Sequence, residues 1–275
     1  MQNPDTSSLT DTVVATPDPP SKGVHNPIHD TQGADAAGYS GALVAGVRTY
    51  GWAARTITRV LGDQWLSNGW VDYRLKRPLF AGEVVTISVI PENQTWRVIC
   101  TAGEEKRLVL EGTAGLGDAP WLAELSPPNP GAPGEIEPPL PGYTLATVPL
   151  NTPLTPLGAW VTNATAQTLV TDDLSMQDSR YTNSSPTPIH PYFLAGRMAP
   201  LTRHNFTYGP TIHVRSQIQH RREAASEREL VVGAQIVDAY DRHDHWYQVL
   251  DGIVTDQEGE VARIRHHTIF RPRGT

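Results

Sequence analysis

Asn26-Pro27-Ile28-His29-Asp30 sets an imidazole and a carboxyl group directly after a stiff corner. Pro27 fixes its own φ and pushes Asn26 toward an extended backbone. A small-residue stretch, Gly33 to Gly38, follows. Ser40-Gly41-Ala42-Leu43-Val44-Ala45-Gly46-Val47 then leads through glycines into a long apolar segment. Imidazole titrates near neutrality, so one group can take up and return a proton. The first N–H groups of a helix have no partner inside it and can hold an oxygen that gains negative charge. A histidine beside a glycine-lined helix start therefore suits proton transfer next to a polarised oxygen.

The elements that must position these groups follow in order. Leu43, Val47, Tyr50, Ala54, Ile57 and Leu61 recur at steps of three and four and predict one long helix, with Ser40 or Gly41 as its cap. Arg48, Arg55 and Thr58 fall off that stripe. Strands are predicted from Trp70 to Arg77, Val85 to Val89, Trp96 to Cys100 and Arg107 to Leu116. Residues 118–156 are dense in proline, which neither helix nor central strand tolerates, and read as a linker along the surface. Beyond it the order repeats. Pro188-Ile189-His190-Pro191 enters a helix from Tyr192 to His204, which Pro200 should kink or shorten, and four strands follow between Thr211 and Arg271. The division is thus a flexible arm over 1–22, one repeat over 23–117, the linker over 118–156 and a second repeat over 157–275.

Composition bounds the function. The net charge of -7 argues against nucleic acid as a partner. No run of ~18 apolar residues predicts a membrane span. Cys100 is the single cysteine, so no intrachain disulfide forms. The polar, acidic start lacks the basic and apolar regions of a signal peptide, and the cytoplasm is the expected location. The Asp241-Arg242-His243-Asp244-His245 cluster lies between two strands and reads as a solvated hairpin rather than a metal site. His266 and His267 are adjacent on a strand and point to opposite faces.

Residues 23 to 116 resemble the MaoC-like, or (R)-specific enoyl-CoA hydratase, group of the hot-dog fold. The resemblance rests on Gly23-Val24-His25-Asn26-Pro27-Ile28-His29, on Ala36-Ala37-Gly38, on Val44-Ala45-Gly46-Val47, and on the strand and turn from Trp70 to Val84. The second half matches in element order with weaker motifs. The resemblance implies an α+β double hot-dog: two repeats, each with a long central helix wrapped by a curved antiparallel sheet, joined edge to edge. It also implies reversible addition of water to a trans-2-enoyl thioester, a lyase reaction in fatty acid metabolism that needs no cofactor or metal. The partner is then a small-molecule acyl thioester, and the chain a monomer (pseudo-dimer) or a homodimer.

By the same resemblance His29 is the acid–base histidine, and Gly46 supplies the N–H for the thioester oxygen. Asp30 is taken as a third catalytic group. Asn26, Gly41, Val47, Tyr50, Arg77 and His190 are the expected substrate contacts. Arg48, Arg55, Lys76 and Arg215 join Arg77 as candidates for the phosphates of the carrier. In the second half, two registers are open: His190 matches His29 by motif, whereas His190-Pro191 matches Ala45-Gly46 by distance to the next strand, the preferred alignment. One departure stands out. The family aspartate, five residues before the histidine, is Val24. Valine cannot accept a proton, so His25, Asp30, Asp35 or a second-half carboxylate among Asp172, Asp173 and Asp178 would have to compensate. Two alternatives follow: a hot-dog thioesterase in which Asp30 or Asp35 activates water, and a non-catalytic acyl-CoA-binding protein.

Overall fold

The structure, a computed structural model, describes residues 8–18, 27–36, 39–207 and 209–274. Its frame is a ten-stranded sheet in the order β1-β3-β4-β5-β2-β7-β10-β9-β8-β6, antiparallel throughout. The strands of the first half are β1 (Leu9–Val14), β2 (Gly69–Leu75), β3 (Val84–Glu92), β4 (Thr95–Ala102) and β5 (Arg107–Leu116). Those of the second are β6 (Leu157–Val161), β7 (Ile212–His220), β8 (Arg228–Arg242), β9 (His245–Asp256) and β10 (Gly259–Arg271). The order in one half mirrors the other about the β2–β7 pair, where Tyr73 opposes Ser216. Arg215 closes that seam with a bidentate grip on Asp72, at 2.9 and 2.5 Å. This corrects the expectation that Arg215 holds a substrate phosphate.

The eight anticipated strands are present, and two more frame the sheet. Residues 9–14 were expected in a flexible arm but form an edge strand. Leu9, Asp11 and Val13 face inward, and Asp11 accepts a hydrogen bond from Thr56 Oγ1 at 2.9 Å and pairs with Arg59. A polar residue on the inner face of a short strand hides the alternation that apolar pattern reading depends on. β6 occupies the mirror position.

The central helix is α2 (Gly46–Leu61). It starts after Ala45, so neither Ser40 nor Gly41 caps it, and Leu43 instead bridges Phe80. Its burial extends beyond the predicted stripe to Arg48, Thr49, Trp52, Ala53 and Thr56. The reason is that α2 touches strands of its own sheet half on one side and α6 (Pro191–Ala195) of the second half on the other. Gly51 marks the crossing, since a Cβ there would lie 2.7 Å from Leu174 and 3.1 Å from Tyr192. Among its described residues the second half has no long helix. α6 ends at Gly196, and α7 (Met198–Asn205) begins anew. Pro200 offers no N–H to the Gly196 carbonyl and its ring crowds that turn, so the break falls there. Residues 163–182 add α4 (Asn163–Thr168), a π-turn (Leu169–Asp173) and α5 (Ser179–Thr182), which the sequence reading does not contain. The proline-rich segment lies along the second half, bridging Ile236 and Gln235 through Leu150 and Pro153. Among the described residues no helix is long and apolar enough to cross a membrane.

Candidate active site

The histidine corner is tied to the start of α2 by backbone bonds. Pro27–His29 forms one 3₁₀ turn, and Asp30 accepts from Gly33 N at 2.7 Å, holding the entry to the short helix Thr31–Ala36. Leu43 N donates to Ile28 O at 3.0 Å, and Val44 N to Leu79 O at 2.9 Å. The chain entering α2 is thereby laced to the corner and to the turn after β2.

A carboxylate is present, but not at the position the motif names. Asp18 Oδ2 lies 3.0 Å from His29 Nδ1, and that nitrogen also lies 2.7 Å from Leu43 O. Both neighbours are acceptors, so Nδ1 carries the proton and Nε2 of the neutral ring is the basic nitrogen. Asp18 further accepts from Ala45 N at 3.1 and 3.2 Å, in the place of a side-chain cap that alanine cannot supply. Its other partner is Arg48, which donates to Asp18 Oδ1 at 2.9 Å.

Arg48 is 1% exposed and spans both halves. It donates to Thr16 O at 2.6 Å, to Thr16 Oγ1 at 2.5 Å, and through Nε to Asp173 O at 2.8 Å, while its Nη2 also meets Asp173 O. The π-turn Leu169–Asp173 delivers that carbonyl. Arg48 was expected off the buried stripe, as a surface charge or phosphate contact. It is a buried clamp because the second half covers the face that would otherwise meet solvent.

These groups line one cleft of about 870 Å³ between the halves. His29, Asp30, Gly46, Val47 and Arg77 border it, as do Asp18 and Asp173, whose carboxyl burial pushes up in pKa. Gly46 is the first residue of α2, so its N–H has no partner within the helix. A Cβ at Gly46 would stand 2.1 Å from Leu75 Cδ1, so only glycine fits without repacking. The second half contributes Tyr192 and Arg203 from its two short helices, Arg197 from the break between them, and His213 and His266 from its sheet. Ser216 Oγ sits between those two histidines, at 2.8 Å from His213 Nε2 and 2.9 Å from His266 Nδ1. Burial holds His213 at about 3 and His266 well below its usual range, so both rings are neutral.

Other expected contacts lie elsewhere. Gly41 is outside the cleft lining, beside Phe80. Tyr50 is fully buried and stacks on Tyr73 with ring centroids 4.6 Å apart, beneath the cleft rather than in it. His190 is 1% exposed; its Nδ1 accepts from Tyr192 N at 3.1 Å and so caps α6. Asn26, Val24 and His25 lie outside the described residues. Asp35 is exposed on the short helix, Asp172 accepts from Thr171 Oγ1, and Asp178 caps α5. Asp18 carries no signal in the sequence, and Arg48 stands out there only as a candidate for carrier phosphates. Asp18 falls in a stretch with little to bury, and its partners are distant along the chain.

No family model and no curated protein matches the chain. Solved structures do. RV0216 of Mycobacterium tuberculosis, described as having a double hotdog fold, superposes with a TM-score of 0.60 over 87% of this chain and 86% of that one, at 15% identity. A MaoC-like dehydratase gives 0.58 over 96% and 97%, at 11% identity. The acyl-CoA thioesterase II TesB2 of Mycobacterium marinum gives 0.50 over 85% and 91%, at 10% identity. With the mirrored sheet and the helix crossing at Gly51, these likenesses identify the fold: the chain is a double hot-dog protein.

Proposed function

We propose that the cleft binds an acyl thioester and adds water across a trans-2-enoyl group, or runs the reverse dehydration. The observation that carries this reading is the Asp18 carboxylate 3.0 Å from His29 Nδ1, at the cleft edge that also holds the start of α2. That pair supplies the acid–base function which Val24 cannot.

The thioester oxygen lies against the Gly46 N–H, where the helix start favours negative charge. His29 Nε2 takes a proton from water as the water oxygen bonds to the β-carbon. The electron pair of the double bond moves toward the α-carbon and the thioester oxygen. Asp18 and the Leu43 carbonyl hold the Nδ1 proton and stabilise the imidazolium, which then returns a proton to the α-carbon. Asp30 turns one oxygen to Gly33 N at the entry to the short helix and is assigned no step here.

The likeness to a thioesterase favours a second reading, in which the same base directs water at the carbonyl carbon and the thiol leaves. Incubation with crotonyl-CoA separates them. Loss of the conjugated enoyl absorbance without free thiol supports hydration. Free thiol supports hydrolysis. Neither signal, together with saturable binding, leaves an acyl-thioester-binding protein.

A further inference from the structure

Partly buried arginines in this chain are paired with carboxylates almost throughout. Arg48 meets Asp18, Arg107 meets Glu83, Arg180 meets Asp63 and Glu223, Arg215 meets Asp72, and Arg265 meets Asp251. Among the described residues Arg55, Arg197 and Arg203 have no such pairing, and of these Arg197 and Arg203 line the cleft. Arg197 stands half-buried at the break between α6 and α7 and lines the cleft. Its Nε donates to Phe193 O at 3.0 Å, and its guanidinium carbon lies 3.8 Å from the centre of the Phe193 ring. No carboxylate among the described residues pairs with it.

Arg203, one turn and a half further on, also lines the cleft with no carboxylate partner among the described residues, near enough for the two charges to repel. A half-buried guanidinium cannot shed its charge as a lysine can, and leaving it uncompensated is costly. The nearby cleft carboxylates are engaged. Asp18 is bound by Arg48 and His29, Asp30 by Gly33, and Asp173 lies against Tyr192. Placing two unpaired guanidiniums in one apolar-walled cleft suits an anionic ligand group.

We infer that Arg197, assisted by Arg203, binds a carboxylate carried by the acyl chain, so that the preferred ligand is an ω-carboxyacyl thioester rather than a neutral acyl thioester. This rests on the reading of the cleft as an acyl-thioester site. Position separates the acyl end from the carrier end. Lys76 and Arg77 are exposed at the cleft border, where the phosphates of a carrier stay in water, whereas Arg197 is half-buried.

The test compares equilibrium binding by calorimetry of matched thioether analogues of CoA and of pantetheine, which neither hydrate nor hydrolyse. Each pair has the same chain length and ends in either a methyl group or a carboxylate. We expect the full-length protein to bind the carboxylate-ended member about tenfold or more tightly on both carriers. Arg197→Gln should bring that ratio close to one, and Arg203→Gln should reduce it. Equal binding of the two members by the unaltered protein overturns the inference while leaving the thioester reading in place. A preference that survives Arg197→Gln overturns it as well. So does an equal loss by Arg197→Gln on both CoA analogues with none on the pantetheine forms, which would assign the guanidinium to carrier phosphates. Failure of every analogue to bind overturns the thioester reading and this inference with it.

Discussion

Asp18 Oδ2 stands 3.0 Å from His29 Nδ1, while the other oxygen of the same carboxylate stands 2.9 Å from Arg48. One carboxylate thus faces an imidazole that opens on the cleft and a guanidinium buried behind it. The two contacts serve different ends. The first orients a base, and the second fixes the carboxylate against a group that bridges the two repeats.

Replacing Asp18 should therefore have two separable effects. Asp18→Asn removes the charge that supports the imidazolium, and kcat for hydration should fall ~10²–10⁴-fold. It also strips a buried arginine of its counter-charge, costing about 2–3 kcal/mol. Urea unfolding beside steady-state kinetics reads both. Adding Arg48→Met to Asp18→Asn should restore part of the stability and none of the turnover. Turnover of Asp18→Asn within a few-fold of the unaltered protein would remove Asp18 from the mechanism.

Gly46→Ala tests the helix start. Its Cβ would sit 2.1 Å from Leu75 Cδ1, so overpacking should cost about 1–3 kcal/mol. Pairing it with Leu75→Ala makes room for the methyl group. If Gly46 is needed for close approach of the thioester oxygen, the double variant should regain stability yet still hydrate crotonyl-CoA poorly. Recovery of both would reduce Gly46 to a packing residue.

Arg48→Lys keeps the charge and loses the fork. One ammonium cannot reach Thr16 O, Asp18 and Asp173 O together, so the substitution should cost about 2–4 kcal/mol despite its chemical likeness. Hydrogen exchange should quicken in residues 9–18 and in the π-turn, the segments that Arg48 joins. Exchange that rises uniformly over the chain would speak against a local clamp.

Legibility followed the range of each interaction. α2 and eight strands show in the sequence because their periods are local, and the helix-then-strands order over both halves followed from them. β1 did not, because Asp11 holds an inward position on it and finds its partners on α2. Pro200 announced a shortened second helix; that the gap falls at Gly196 depends on which carbonyl the proline leaves unpaired. Arg48 looked like a surface charge because its burial is created by a segment from the other repeat. Motif spacing located His29 and the start of α2, and pointed to Val24 for the carboxylate. The group that meets His29 comes from Asp18, in a stretch whose sequence offers little to bury.

The buried histidines should govern acid stability, and His190 gives the cleanest reading. Burial, then the charge of Arg55 and the neighbouring His220, hold it at about 3, against 6.5 for the free side chain. Between those values the unfolded chain binds a proton that the folded chain refuses. The unfolded state holds more protons there, so stability rises with pH across the window and is lost as pH falls from 6.5 toward 3. Near pH 4.5 this one group should cost about 2–3 kcal/mol relative to neutrality. His190→Asn retains an acceptor for Tyr192 N, since asparagine is a favoured cap, but has no proton to gain. Urea unfolding at neutral pH should show a modest loss, and the further loss on acidification should be smaller in the variant by about that amount. Equal acid losses in the two proteins would mean that His190 is protonated in the folded chain, in which case its capping bond to Tyr192 could not stand, because both ring nitrogens would then be donors.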